Sequence, residues 1–218
     1  MRSLLIALVV MLAACGAPIA PDPGTPASPP SAPEPATPAS PPSAPEPASP
    51  EAAQPIPEPN MSTLPTPFTA DQIRDAMPVG TEVRLTIAAA GKPTIQSDWT
   101  VTKSDADGVT IAYRTLTEDG TTDVEPPSEG SYGWEELRQH ALYKAADTTR
   151  LDGQTLDTPL GTLTTIRYVR STRGESEKVE TYDFAVDIPG PPVLVRTTVD
   201  GQQVLSMAMT RRTGFPKQ

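Results

Sequence analysis

From residue 68 onward the chain alternates apolar and polar positions with a period of two, interrupted by two stretches of helical period. Val83, Leu85 and Ile87 alternate with Glu82, Arg84 and Thr86, the pattern of a strand buried on one face. Ile95, Ser97, Trp99 and Val101 repeat it, as do Val109, Ile111 and Tyr113, with turn residues at 91–93, 104–108 and 118–120. Five further strands are predicted over 151–156, 162–170, 180–186, 193–199 and 205–209, and Asp200-Gly201 supplies a two-residue hairpin turn between the last two. The first helical stretch follows Thr69, a capping residue with Gln72 three positions later. Ile73, Ala76 and Met77 lie on one face, and Pro78 ends the helix. The second is expected from Trp134 to Ala146, with Glu135 and Glu136 in the first turn and Trp134, Leu137, Ala141 and Ala145 as an apolar stripe. The segment 123–130, polar and proline-containing, reads as a loop. Two short helices cannot cover both faces of such a sheet. The expected fold is therefore α+β: a curved antiparallel sheet of about eight strands, half-barrel in form, with both helices on one face.

Composition divides the remainder. Of the 28 prolines, nineteen lie between Pro18 and Pro67, where Ala, Ser, Thr and Glu make up most of the rest. Thr25–Ala36 and Thr37–Ala48 carry the same twelve letters, TPASPPSAPEPA. Proline lacks an amide donor and fixes φ, and the tract has little apolar surface to bury, so a solvated, disordered spacer biased to polyproline II is expected. At about 3.1 Å per residue, roughly 45 residues reach at most on the order of 140 Å. The formal net charge of -10 is shared between the tract, whose Asp22, Glu34, Glu46, Glu51 and Glu58 have no basic partner, and a mildly acidic domain. That balance argues against nucleic acid as a partner and against charge-driven membrane binding.

At the N-terminus Arg2 precedes an apolar run, Leu4 to Leu12, too short to span a bilayer, and then Ala13, Ala14 and Cys15, the one cysteine of the chain. Leu12-Ala13-Ala14-Cys15 resembles the lipobox of bacterial lipoproteins cut by the type II signal peptidase. The resemblance implies cleavage before Cys15, acyl chains on its sulfur, and the membrane as a partner through those chains. Gly16, where inner-membrane lipoproteins of that family often carry Asp, implies the outer membrane, with the domain facing the periplasm or the surface. The organisation expected is a signal peptide over 1–14, a lipidated cysteine and spacer over 15–67, and a folded domain over 68–218.

Chemistry is sparse. His140 is the single histidine, so no multi-histidine metal site exists, and no disulfide can form within the chain. Asp105-Ala106-Asp107-Gly108 lacks the further ligands of a calcium loop and reads as a hairpin turn. Gly130-Ser131-Tyr132-Gly133 has the wrong spacing for a nucleophile elbow, and neither Ser-x-x-Lys nor a P-loop occurs. No cofactor or metal is expected and no catalytic residue is assigned. Trp99, Trp134, Tyr182, Phe184, Met207 and Met209 are the candidate lining of an apolar cleft, where methionine adapts to irregular ligands. The order of helix, strands, inserted helix and strands loosely resembles the half-barrel carriers of the LolA/LolB type, which implies an apolar ligand. The readings that follow are a non-catalytic binding or carrier domain, an interaction domain for an envelope protein, and, third, a hydrolase.

Overall fold

The computed structural model describes residues 62–214, all within one unit, Asn60–Gln218. The signal segment, Cys15, the spacer and the tail from Phe215 lie outside the described residues. Helix α1 spans Ala70–Asp75, and α2 spans Trp134–Gln139. Nine strands form a single sheet: β1 Glu82–Ala89, β2 Ile95–Ser104, β3 Gly108–Thr117, β4 Ser128–Gly133, β5 Thr148–Thr158, β6 Gly161–Arg173, β7 Glu177–Ala185, β8 Leu194–Val199 and β9 Gln202–Thr213. Their order across the sheet is β4-β3-β2-β1-β9-β8-β7-β6-β5, with every pair antiparallel. The sheet is open, not a closed barrel. It consists of two meanders joined where the first strand pairs with the last.

The eight strands expected from the alternation are all present. The ninth, β4, lies in a stretch read as a polar loop and helix lead-in. Ser128–Gly133 has no apolar alternation, and what makes it a strand is its backbone ladder to β3, from Gly108↔Gly133 to Tyr113↔Ser128. The capping box on α1 forms as expected: the Gln72 amide donates to Thr69 Oγ1 at 3.2 Å, and the Thr69 amide to Gln72 Oε1 at 2.9 Å. Asp200 and Gly201 have φ of 49° and 79°, both left-handed, as a hairpin turn of the primed type requires. Helix α2 ends at Gln139, seven residues before the expected end. The chain tightens through three-residue hydrogen bonds from Ala141 to Arg138 and from Leu142 to Gln139, after which Tyr143 and Ala145 pair with residues 62–64.

Register sorts the side chains onto two faces. On the inner face lie Val83, Leu85 and Ile87 of β1, Trp99 and Val101 of β2, and Val109, Ile111 and Tyr113 of β3. Ile166 and Tyr168 of β6, Tyr182 and Phe184 of β7, and Met207 and Met209 of β9 join them. The connection from β4 to β5 must travel from one edge of the sheet to the other. A flat nine-stranded sheet is about 38 Å wide. The six residues of α2 cover about 9 Å, and residues 140–147 about 27 Å only if fully extended, which their turns prevent. Curvature of the sheet towards the helices closes that gap. One buried cluster accordingly joins Val101, Val109 and Ile111 from one meander to Tyr168 and Phe184 from the other, through Phe68, Ile73, Met77 and Trp134. On the outer face the charged groups pair across strands. Arg84 donates twice to Asp98 at 2.6 Å, and the fully buried Asp183 accepts from Arg167 Nε at 2.6 Å.

Candidate functional site

The six residues expected to line a cleft are distributed through packed structure. Trp134 is buried at the start of α2, its indole N–H donating to the Asp105 carbonyl at 2.9 Å. Phe184 is buried between Phe68, edge-on at 6.3 Å, and Tyr168, edge-on at 5.8 Å. Half-buried Trp99 meets Tyr113 edge-on at 5.6 Å and donates to Ser97 Oγ at 3.0 Å. Tyr182, also half-buried, packs against Tyr143 at 5.2 Å. The structure thus gathers both tryptophans, Tyr182 and Phe184 into or against one cluster. Met209, fully buried beside Leu85, and Met207, half-buried between Ile87 and Val195, lie outside it.

Among the described residues, two surface hollows are lined largely by polar groups. One, of about 300 Å³, lies by the β2–β3 turn among Lys103, Asp105, Asp107, Thr110, Ser131 and Tyr132. Its Ser131 hydroxyl shares a 3.0 Å hydrogen bond with Thr110, while Lys103 pairs with Asp105 at 2.8 Å. The Asp105 carboxylate also accepts the amides of Asp107 and Gly108, so it caps the turn. The other, of about 200 Å³, lies on the outer face by Glu82, Asp98, Arg114 and Arg211. His140 is exposed at the C-cap of α2. Among the described residues no three of His, Cys, Asp and Glu gather as metal ligands, and no helix is long and apolar enough to cross a membrane.

The densest recognition geometry lies where the periodicity gave no signal, beneath residues 62–68. This strap forms an antiparallel bridge with the segment after α2: the Leu64 amide donates to the Tyr143 carbonyl at 2.8 Å, and the Ala145 amide to the Ser62 carbonyl at 2.9 Å. The Pro65 carbonyl accepts from the Tyr168 hydroxyl at 2.5 Å and from Arg150 Nη1 at 3.1 Å. Thr66 Oγ1 faces Arg138 Nη1 at 3.5 Å, and Phe68 enters the core against Phe184. Beneath them Tyr143 tilts over Tyr168 at 4.8 Å, and the Arg150 guanidinium sits 5.7 Å from the Tyr168 ring centre. The docked chain therefore includes residues 62–67, ahead of Phe68. The signal in the sequence was the appearance of Leu64 and Phe68 among prolines otherwise flanked mainly by Ala, Ser and Glu.

No protein-family model matches the sequence, and no curated protein matches it significantly. Solved structures are similar to it at low identity and low TM-score. One is a protein assigned as a lipoprotein from Parabacteroides distasonis ATCC 8503, at 11% identity and a TM-score of 0.42, covering 68% of this chain and 98% of that one. A second is the Pseudomonas aeruginosa MucA/MucB complex, at 9% and 0.45, covering 68% of this chain and 57% of that one. A third is the hypothetical protein CT021 of Chlamydia trachomatis, at 7% and 0.33, covering 69% of this chain and 98% of that one. No residue role passes to this chain from likenesses of this depth.

The buried tyrosines, among them Tyr143 and Tyr168 in the seat beneath the strap, have a pH signature. Burial is the largest cause raising the phenols of Tyr113, Tyr143, Tyr168 and Tyr182 above the ordinary tyrosine value. Each therefore holds its proton more tightly folded than unfolded. Above about pH 10 the unfolded chain binds fewer protons than the native one, and stability falls as pH rises. Phenolate absorbance is expected to appear together with loss of near-ultraviolet circular dichroism. Smooth ionisation of all five tyrosines with the fold intact would show that the seat admits water.

Proposed function

We propose that the chain is an envelope lipoprotein, cut before Cys15 and acylated there, whose proline tract, the part of 15–67 ahead of the docked strap, spaces a non-catalytic protein-interaction domain from its membrane. The anchor rests on the Leu12-Ala13-Ala14-Cys15 motif, and Gly16 favours the outer membrane. The interaction reading rests on one observation: the aromatic side chains of the inner face pack against each other and against the chain's own strap. A carrier of an apolar ligand would need that face to open, whereas an interaction domain uses what surrounds it. Hydrolysis has no support in the pairing of Ser131 with Thr110 or in the exposed His140.

Two or three acyl chains, at about 0.8 kcal/mol per buried CH₂, hold a protein at a membrane lastingly, whereas one holds it marginally. A Cys15→Ala variant is accordingly expected to move from the membrane pellet to the soluble fraction, a loss of at least about tenfold in pelleted protein. Retention in the pellet would place the anchor elsewhere. The domain reading is tested by native mass spectrometry of protein purified from its host. A co-purifying lipid would return the carrier reading, and a co-purifying protein would support interaction.

A further inference from the structure

The strap segment in the seat reads apolar, proline, polar, proline: Leu64-Pro65-Thr66-Pro67. Leu64 and Thr66 each precede a proline and are held extended, and each proline fixes its own φ. Such a segment reaches a binding groove already ordered and loses little entropy there. An aromatic floor, a tyrosine hydroxyl on a proline carbonyl and an adjoining arginine are the equipment by which grooves hold proline-rich chains.

The same pattern stands three more times in the chain: Ala32-Pro33-Glu34-Pro35, Ala44-Pro45-Glu46-Pro47 and Ile56-Pro57-Glu58-Pro59, at twelve-residue intervals. All three carry glutamate where the seated segment carries Thr66, the side chain that faces Arg138. Nε and Nη2 of Arg138 are held by Glu135, and a carboxylate in the place of Thr66 meets the remaining Nη1, a charge-assisted contact that threonine does not provide. Arg150, itself paired with Asp152 at 2.8 Å, and the exposed Lys144 stand beside the seat, and residues 16–61 contain no basic residue at all.

We propose that the seat is a recognition groove for an apolar–Pro–Glu–Pro segment, and that its exchanging occupant is the spacer of a second copy. Leu64–Pro67 then serves as a built-in ligand that fills the groove in a solitary chain. Copies crowded on one membrane each offer three competing segments, so occupation by a neighbour rises with surface density. This inference rests on the interaction reading of the domain; the rise with surface density rests also on the proposed acylation, whereas the groove itself does not.

The test uses the chain from residue 15 with Cys15→Ser, which removes the proposed acylation site, and a synthetic peptide of residues 52–60 as probe. The Leu64 and Ala145 amide resonances, which report the strap bridge, are expected to shift saturably on titration. A Glu58→Gln peptide should bind about tenfold more weakly. A Thr66→Glu chain, whose own segment supplies the acid, should resist displacement by about the same factor. Sedimentation of the chain should show association that increases with concentration and is lost when Pro33, Pro35, Pro45, Pro47, Pro57 and Pro59 are all changed to serine. Far-ultraviolet circular dichroism checks that each variant keeps the fold. Unshifted amides at saturating peptide would overturn the groove. Peptide binding without concentration-dependent association, or association that survives the proline changes, would overturn the second copy as occupant. A lipid co-purifying with the chain would instead defeat the interaction reading beneath the inference.

Discussion

A Trp134→Ala variant is expected to lose about 3–5 kcal/mol of stability, the range for truncating a buried aromatic side chain. Trp134 is 5% exposed and stands at the point where the edge strand β4 becomes α2. Its indole N–H satisfies the Asp105 carbonyl in the β2–β3 turn, so truncation both opens a cavity and leaves that acceptor without its donor. The helix it starts is short, and Gly133 offers it no side-chain cap, so the side chain carries much of what fixes α2 across the sheet. Urea unfolding followed by far-ultraviolet circular dichroism would measure the loss. A Trp99→Phe variant serves as the control. Trp99 is half-buried and its N–H partner is only two residues away, so its cost should stay below about 1.5 kcal/mol. A loss under about 1 kcal/mol for Trp134→Ala would mean that the strap, not the indole, holds α2 in place.

The second large effect is expected at Arg212. Its guanidinium donates to the carbonyls of Ala76 at 2.9 Å, Pro189 at 2.8 Å and Ile188 at 3.4 Å. It thus ties the last strand to the end of α1 and to the proline-rich turn before β8. Burial pulls its pKa down to about 10, so it remains charged at neutral pH. Methionine at this position keeps the apolar stem and removes every donor. With hydrogen bonds to charged groups worth about 1.5–3 kcal/mol each and not additive, Arg212→Met should cost about 2–4 kcal/mol. Hydrogen exchange should show the loosening first in residues 70–77 and 186–193. Arg212→Lys should recover only part of the loss, because a single ammonium cannot span carbonyls arranged for a planar fork. Exchange unchanged in both segments would show that they are held without the clamp.

Much of the architecture was legible because it is written in local period. The alternation in Val83–Ile87 or Val109–Tyr113 marks a strand whatever its neighbours, and the Thr69–Gln72 box announces its helix within four residues. β4 was hidden for the converse reason. Gly130 and Gly133 give it no alternation, and Tyr132 covers its own strand, its ring standing where a side chain on Gly130 would lie. The early end of α2 depends on pairing with residues 62–64, which helical periodicity cannot register. The seat was beyond reach for the same physical reason. Its decisive bond joins Tyr168 to Pro65 across 103 residues, and proline-rich composition argues for solvation until a particular groove overrides it. The proposed cleft residues show the limit of reading faces alone. Register places Tyr182, Phe184 and the tryptophans on one face, but whether that face is lined or filled depends on chain from elsewhere.

The pairing of β1 with β9 at the middle of the sheet sets the timing of folding. Strands β1 to β4 can zip by neighbouring hairpins, and so can β5 to β8, but joining the halves closes a loop of about 120 residues. That closure costs on the order of 4 kcal/mol in chain entropy before any contact repays it. A chain that emerges N-terminus first cannot make this junction until β9, Gln202–Thr213, is free to pair. Until then β1 and β8 present bare edges, the kind of surface that pairs with the wrong chain. The sheet therefore closes only once β9 is available, and losing β9 removes its keystone, not a dispensable margin.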